Sequence, residues 1–147
     1  SSSISDGAAA LVMMCESTAL ERGLLPLARI LGHSELAHEP AWFTTTPVSA
    51  IQKLLEKLGW NAGDVDLYEV NEAFASVVLR FMQAFDADHN KINVNGGAIA
   101  MGHPLGATGA IILSTLLDEM ERSDKETGLA TLCIGSGMGA ATIIERV

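Results

Sequence analysis

Cysteine is scarce in this sequence. Cys15 and Cys133 are the only two in 147 residues, too few for a disulfide framework or a thiolate metal cluster. Such usage suits the reducing interior of a cell, and a cytoplasmic setting is expected. Basic residues are also in deficit: nine Lys and Arg face eighteen Asp and Glu, for a net charge of −9. That balance argues against nucleic acid and against an anionic membrane surface as partners, since both need a basic footprint. An anionic ligand would need basic groups from elsewhere, or helix N-termini. Long apolar runs are missing too, because Gly, Pro and charges interrupt each one before it reaches bilayer-spanning length. No Met precedes Met13, and Ser1 to Gly7 has neither the charged start nor the apolar stretch of a targeting signal. Truncation of a longer chain is therefore the expectation for this start.

What is present describes a chain with a buried core. Apolar residues make up 48% and mean hydropathy is +0.29, far from the composition of a disordered chain. The length suits one domain over residues 1–147. Short apolar runs alternate with helical patterns, the signature of a layered α/β domain. Ala8 to Met14 reads as a buried strand, Ser17 as the N-cap of a short helix ending near Gly23, and Leu25 to Leu31 as a second strand. A polar irregular stretch is expected from Gly32 to Thr45. Thr46, Pro47 and Gly59 punctuate the best-marked helix, with Val48, Ile51, Leu54, Leu55 and Leu58 on one face. Val65 to Val70 reads as a third strand, leading into a helix with Phe74, Val77, Val78, Phe81, Met82 and Phe85 at helical spacing. After a glycine-rich loop from Asn93 to Gly109 comes a helix with Ile112, Leu113, Leu116, Leu117 and Met120 inward. Leu129 to Ile134 and Ala140 to Glu145 then read as two strands.

Three segments place reactive or polar residues at the ends of these elements. They are Asn71-Glu72-Ala73-Phe74, Gly102-His103-Pro104-Leu105-Gly106 and Cys133-Ile134-Gly135-Ser136-Gly137. Ligands in open α/β sheets bind where strand ends give way to loops. A His and a Cys on separate loops suit proton transfer, because imidazole titrates near neutrality and a thiol is tuned by its surroundings. An Asn amide holds a water or donates to a developing oxyanion, and a glycine after the Cys lets a backbone N–H do the same. Plainer readings stand beside these. Cys133 fits an inert small hydrophobe in a strand. His103 and Asn71 fit helix caps, and Glu72 fits a first-turn dipole partner or a structural ion pair. Cys15 is expected in the core, and His33, His38 and His89 on solvated loops. Gly135 to Ala140 has the G-x-G-x-x-A spacing of a dinucleotide fingerprint. The context is wrong, because Ala141-Thr142-Ile143-Ile144 is strand-like where that fingerprint needs a helix. Gly96 to Gly109 lacks the Lys of a phosphate-binding loop.

Taken together and in order, Asn71-Glu72-Ala73-Phe74, the run from Asn93 through Gly102-His103-Pro104 to Gly109, and Cys133 to Gly139 resemble the C-terminal half of thiolases. Ser5-Asp6-Gly7-Ala8-Ala9-Ala10 resembles the stretch leading into that half. The resemblance implies a five-stranded mixed sheet with helices on both faces, packed against an N-terminal half that holds the acylated Cys. It implies reversible Claisen condensation or thiolysis of acyl-coenzyme A thioesters. His103 would activate the nucleophilic Cys and serve a thioester oxyanion, and Asn71 would hold a water in that oxyanion site. Cys133 would move the proton on the carbon beside the thioester carbonyl, with the Gly135 N–H as a donor to a second oxyanion site. Ser2 matches a serine that touches coenzyme A.

No cysteine here matches the nucleophile, so the chain alone is expected to be inactive and to depend on the missing half. Coenzyme A and its thioesters enter as substrates. No metal or redox cofactor is expected, and a homo-oligomer is. Mitochondrial and peroxisomal settings stay open alongside the cytoplasm. Ser136 stands where many thiolases have Gly, which bears on the turn and not on the class. Phe74, Val77 or their neighbours are expected to be partly uncovered in the isolated half. The competing class is a non-catalytic thiolase-like module that binds coenzyme A or assists assembly. Retention of Asn71, His103 and Cys133 together disfavours it. The related ketoacyl synthases use two His residues with a nucleophilic Cys, and Cys133 in the place of a proton-transfer group favours a thiolase.

Overall fold

The computed structural model describes residues 1–147. The elements in chain order are α1 (Glu16–Glu21), β1 (Ala28–Ala37), α2 (Thr46–Leu58), β2 (Leu67–Val70), α3 (Ala75–Phe85), α4 (Ala98–Met101), α5 (Thr108–Arg122), β3 (Thr127–Ile134) and β4 (Met138–Arg146). The strands form one mixed sheet in the order β1-β4-β3-β2. β4 is antiparallel to both neighbours, and β2 runs parallel to β3. α2 and α3 cover one face and α5 the other, so the layers are helix, sheet, helix.

Each face owns a core. Ile51 and Leu54 of α2, Val77 and Phe81 of α3, and Tyr68, Val70, Leu129, Cys133 and Ile143 of the sheet fill the first. Ile112, Leu116 and Met120 of α5 pack on Leu67, Ala130 and Ile144 in the second. Burying one such side chain contributes about 1.5–3 kcal/mol, so these two layers hold the sheet's ends in place. The helical periodicities hold up: α2 buries Val48, Ile51, Leu54 and Leu55, and Gly59 ends it at φ +69. On α5, Ile112, Leu116 and Met120 are buried, with Leu113 and Leu117 packed at the margin. On α3, Val77 and Phe81 are buried, while Phe74 just ahead of it is exposed and Val77 is not.

Several expectations need correction. The sheet has four strands rather than five. Ala8 to Met14 is not a strand and is not buried: Val12 is 88% exposed, and residues 7–14 make no strand pairing. A strand needs a ladder partner as well as apolar side chains, and this segment has no ladder. Cys15 shares that exposure and is not in the core. It is also the N-cap of α1, with Ser17 inside the helix. The first part of the polar run after Gly32 is strand, because β1 continues to Ala37 with a register irregularity between Ile30 and Gly32, whereas residues 38–45 are irregular as expected. Polar residues hid it. Ser34 is buried on the core face and donates to the Ala50 carbonyl, while His33 and Glu35 point outward. The glycine-rich loop contains the short α4 and ends earlier than expected, with α5 beginning at Thr108.

Candidate active site

Because β2 and β3 are parallel, both end at the same edge of the sheet. Asn71 follows β2 directly and its N–H donates to the Thr131 carbonyl of β3 at 2.9 Å. Cys133 lies two residues further along β3. It is 7% exposed, and burial pushes its thiol above the ordinary range. The sequence thus brings Asn71 and Cys133 to one edge from positions 62 apart.

His103 arrives at the same edge through the glycine-rich loop. Its Nε2 lies 3.2 Å from the Asn71 side-chain nitrogen, and its Nδ1 lies 2.7 Å from the Thr108 hydroxyl. Burial lowers its pKa below the usual imidazole value, which favours the neutral ring. The two capping readings are not met: α3 is capped by Phe74 and α5 by Ala107. Asn71 is 2% exposed, and its Oδ1 has no hydrogen-bond partner. A buried amide oxygen without a donor is costly, so this end of the amide suits a bound water or a donor that comes with a ligand.

The residues behind these groups were less visible in sequence. Asn93, at φ +47, accepts from the Val70 N–H at 2.8 Å and donates to the Val70 carbonyl at 2.9 Å. It acts as a one-residue strand on the edge of β2. Its amide also donates to Glu72 at 3.2 Å, and the second Glu72 oxygen accepts from the Ile99 N–H at 3.0 Å. Glu72 is in no ion pair and lies ahead of the first turn of α3, and its carboxylate instead accepts at the first turn of α4. It ties the loop that carries His103 to the loop that carries Asn71. The N-terminal residues tie the same two loops. Ser2 donates its N–H to the Ala73 carbonyl at 3.1 Å, and Ser3 accepts from the His103 N–H at 2.9 Å. The Ser2 hydroxyl also donates to the Ala73 carbonyl at 3.3 Å.

The β3–β4 turn runs Gly135-Ser136-Gly137. Gly135 is exposed with open space around it. Ser136 sits at φ +70, a conformation that favours glycine. Gly137 also has positive φ and closely approaches the His38 backbone, where a Cβ would collide. A surface hollow of about 450 Å³ lined by His38, Glu39, Trp42 and Thr45 includes none of Asn71, His103 and Cys133.

An α/β layer with a neutral histidine, a half-satisfied asparagine and a buried cysteine at the ends of two parallel strands has the composition of an acid–base site. The family described as thiolase, C-terminal domain, matches residues 24–146. The acetyl-CoA acetyltransferase of Escherichia coli strain K12 is 54% identical over 146 residues, 99% of this chain and 37% of that protein. The acetyl-CoA acetyltransferase of Paracoccus denitrificans is 52% identical over 145 residues, with the same two shares. The 3-ketoacyl-CoA thiolase of Cronobacter sakazakii is 50% identical over 150 residues, all of this chain and 39% of that protein. Among solved structures, the acetyl-CoA acetyltransferase of Bacillus anthracis superposes with a TM-score of 0.88 at 46% identity, covering 91% of this chain and 34% of that one. The chain belongs to the thiolase family, and it corresponds to the family's C-terminal domain. It spans a little over a third of the length of the curated relatives it matches.

Proposed function

We propose that this chain is the acid–base half of an acyltransferase that makes and cleaves 3-ketoacyl-coenzyme A thioesters, of the acetyl-CoA acetyltransferase type. The contact between Asn71 and His103 at the end of β2, beside the end of the Cys133 strand, carries this reading. An upstream half supplies the cysteine that is acylated, and the isolated chain is inactive. That half also covers the exposed Phe74 and the apolar segment from Leu11 to Met14, and the intact protein is a homo-oligomer working on coenzyme A esters.

In this reading the Nε2 lone pair of His103 takes the proton of the upstream thiol as the acyl group is transferred, and the departing coenzyme A takes the proton of Cys133, leaving that residue as the thiolate. The same nitrogen, once protonated, and a water held by Asn71 then face the thioester oxygen as it gains charge. In the second half-reaction the Cys133 thiolate removes a proton from the carbon beside the carbonyl of a second acyl-coenzyme A. The resulting carbanion attacks the acyl carbon, a carbon–carbon bond forms, and the upstream thiolate leaves and recovers its proton from His103. The Gly135 N–H steadies the enolate oxygen, and Ser2 is assigned a contact with coenzyme A. Thiolysis runs these steps in reverse. Burial of Cys133 keeps it protonated between turnovers, which suits a group that must give a proton as well as take one.

The test is coenzyme A-dependent cleavage of a 3-ketoacyl-coenzyme A by the full-length protein, by His103→Asn and by Cys133→Ser. General acid–base help is worth about 10²–10⁴-fold, and losses of that order are expected for each variant. Full activity in Cys133→Ser would sink the reading. Coenzyme A binding without any turnover in the intact protein would point to the binding-module alternative.

A further inference from the structure

We infer that Thr108 is a positioning residue: its hydroxyl holds His103 as the Nδ1–H tautomer, which leaves the Nε2 lone pair facing Asn71. The kinetic consequence rests on the acyltransfer reading above, whereas the tautomer itself does not.

The assignment follows from counting protons. The Thr108 hydroxyl has one, and two acceptors within reach: the Pro104 carbonyl at 2.9 Å and His103 Nδ1 at 2.7 Å. Two arrangements of the neutral ring satisfy both ring nitrogens, and only the first also makes the Thr108–Pro104 contact a hydrogen bond. In the first, the hydroxyl donates to Pro104, the Nδ1–H donates to the hydroxyl oxygen, and the Asn71 amide nitrogen donates to Nε2 at 3.2 Å. In the second, the hydroxyl donates to Nδ1, Nε2 carries the proton, and the Asn71 amide must turn over to accept it. Helix chemistry chooses between them. Thr108 opens α5, and a threonine at a helical position donates to the carbonyl four residues back, which here is Pro104. The choice also decides what Asn71 lacks. The first arrangement leaves its buried Oδ1 bare, a site one water proton fills. The second would leave an NH₂ group with two protons and no acceptor, a larger deficit.

Thr108 is 3% exposed, so no solvent competes for its hydroxyl. A neighbouring group that fixes the tautomer of a catalytic histidine acts through orientation rather than by touching substrate. Without the hydroxyl, Nδ1 loses its acceptor and the proton is free to move to Nε2, where the lone pair is needed.

The experiment uses the full-length protein labelled with ¹⁵N-histidine. Solid-state ¹⁵N spectra distinguish the two ring nitrogens in each tautomer, and His103 is assigned by the signal lost in His103→Asn. The expected result is an Nδ1–H ring in the wild type and in Thr108→Ser, and a mixture of tautomers in Thr108→Val. An Nε2–H ring in the wild type overturns the inference without recourse to any variant. So does an unchanged tautomer in a folded Thr108→Val. The kinetic arm expects kcat for 3-ketoacyl-coenzyme A cleavage to fall about 10- to 100-fold in Thr108→Val, part of what general acid–base help is worth. KM should change little, and Thr108→Ser should restore kcat to within about threefold. Equal kcat in Thr108→Val and wild type overturns the inference. Absence of turnover in the wild type overturns the acyltransfer reading instead, and the tautomer spectra still decide the role of Thr108.

Discussion

The Cα of Gly97 lies against the carboxylate of Glu72, so closely that a methyl group on Gly97 would occupy the place of that carboxylate. The same carboxylate accepts from Asn93 and from the Ile99 N–H. Space at residue 97 and the bond network of residue 72 are thus one feature. Gly97 has ordinary extended φ, so its lack of a side chain serves packing and not backbone freedom.

Replacing Gly97 with Ala should therefore act by evicting Glu72. Two hydrogen bonds to a charged group are lost or stretched, at a cost of about 1.5–3 kcal/mol in all. Glu72→Ala should cost a similar amount, and the double variant should cost no more than Glu72→Ala alone. Denaturant unfolding of the three proteins measures this. Additive losses would mean that the two residues are not coupled as described.

Glu69 on β2 gives a pH prediction. It is 5% exposed, and its carboxyl is pushed up to about 7, first by burial and then by the charges of Glu72 and Glu119. The folded state therefore holds this proton longer than the unfolded chain. The stability tied to it is fully present below about pH 4.5 and is lost as pH rises through about 7. The loss is about 3 kcal/mol at most, at about 1.4 kcal/mol per unit. Glu69→Gln, which mimics the neutral form, should match the wild type in thermal midpoint at pH 5 and exceed it at pH 8. An equal difference at both pH values would remove Glu69 as the cause.

Ser136 occupies a left-handed position at the β3–β4 turn. Holding an L side chain there costs about 1–2 kcal/mol, offset in part by the greater freedom glycine gains on unfolding. Ser136→Gly is expected to raise unfolding stability by up to about 1 kcal/mol. Activity should be preserved, since the turn geometry already suits glycine. A less stable Ser136→Gly variant would show that the serine side chain contributes something the turn needs.

The two cysteines should separate in reactivity. Cys15 is exposed, whereas Cys133 is buried with its thiol pushed up. Thiolate and access together set alkylation rates. On the 147-residue polypeptide at neutral pH, iodoacetamide should modify Cys15 at least about tenfold faster than Cys133, read by peptide mass mapping. Comparable rates would contradict the burial of Cys133.

How much of this was legible in sequence depended on what each residue needs. Helices α2, α3 and α5 bury one stripe each, so period and punctuation revealed them. The strand hairpin showed for the same reason. β1 was cut short in the reading because its inward position 34 is a serine, whose burial is made tolerable by a carbonyl of α2 that no local pattern announces. The segment from Ala8 to Met14 misled in the opposite sense. Its composition is that of a strand, but pairing is a property of neighbours. His103, Asn71 and Cys133 stood out through motif position. Thr108 and Asn93 did not, and Glu72 stood in a motif without showing its role, because the work of all three is to hold other groups. The one available hint for Thr108 was a hydroxyl residue opening the helix five places after His103.

The ties made by Ser2 and Ser3 bear on where this protein should be cut. The family match begins at residue 24, and a polypeptide trimmed to that boundary would keep every strand of the sheet. It would also free the His103 N–H and the Ala73 carbonyl, which residues 2 and 3 hold from outside the boundary. The stretch matched by the family and the unit that fixes the histidine differ by these leading residues. Expression strategies that respect only the first would keep the sheet but loosen the loops that carry His103 and Asn71.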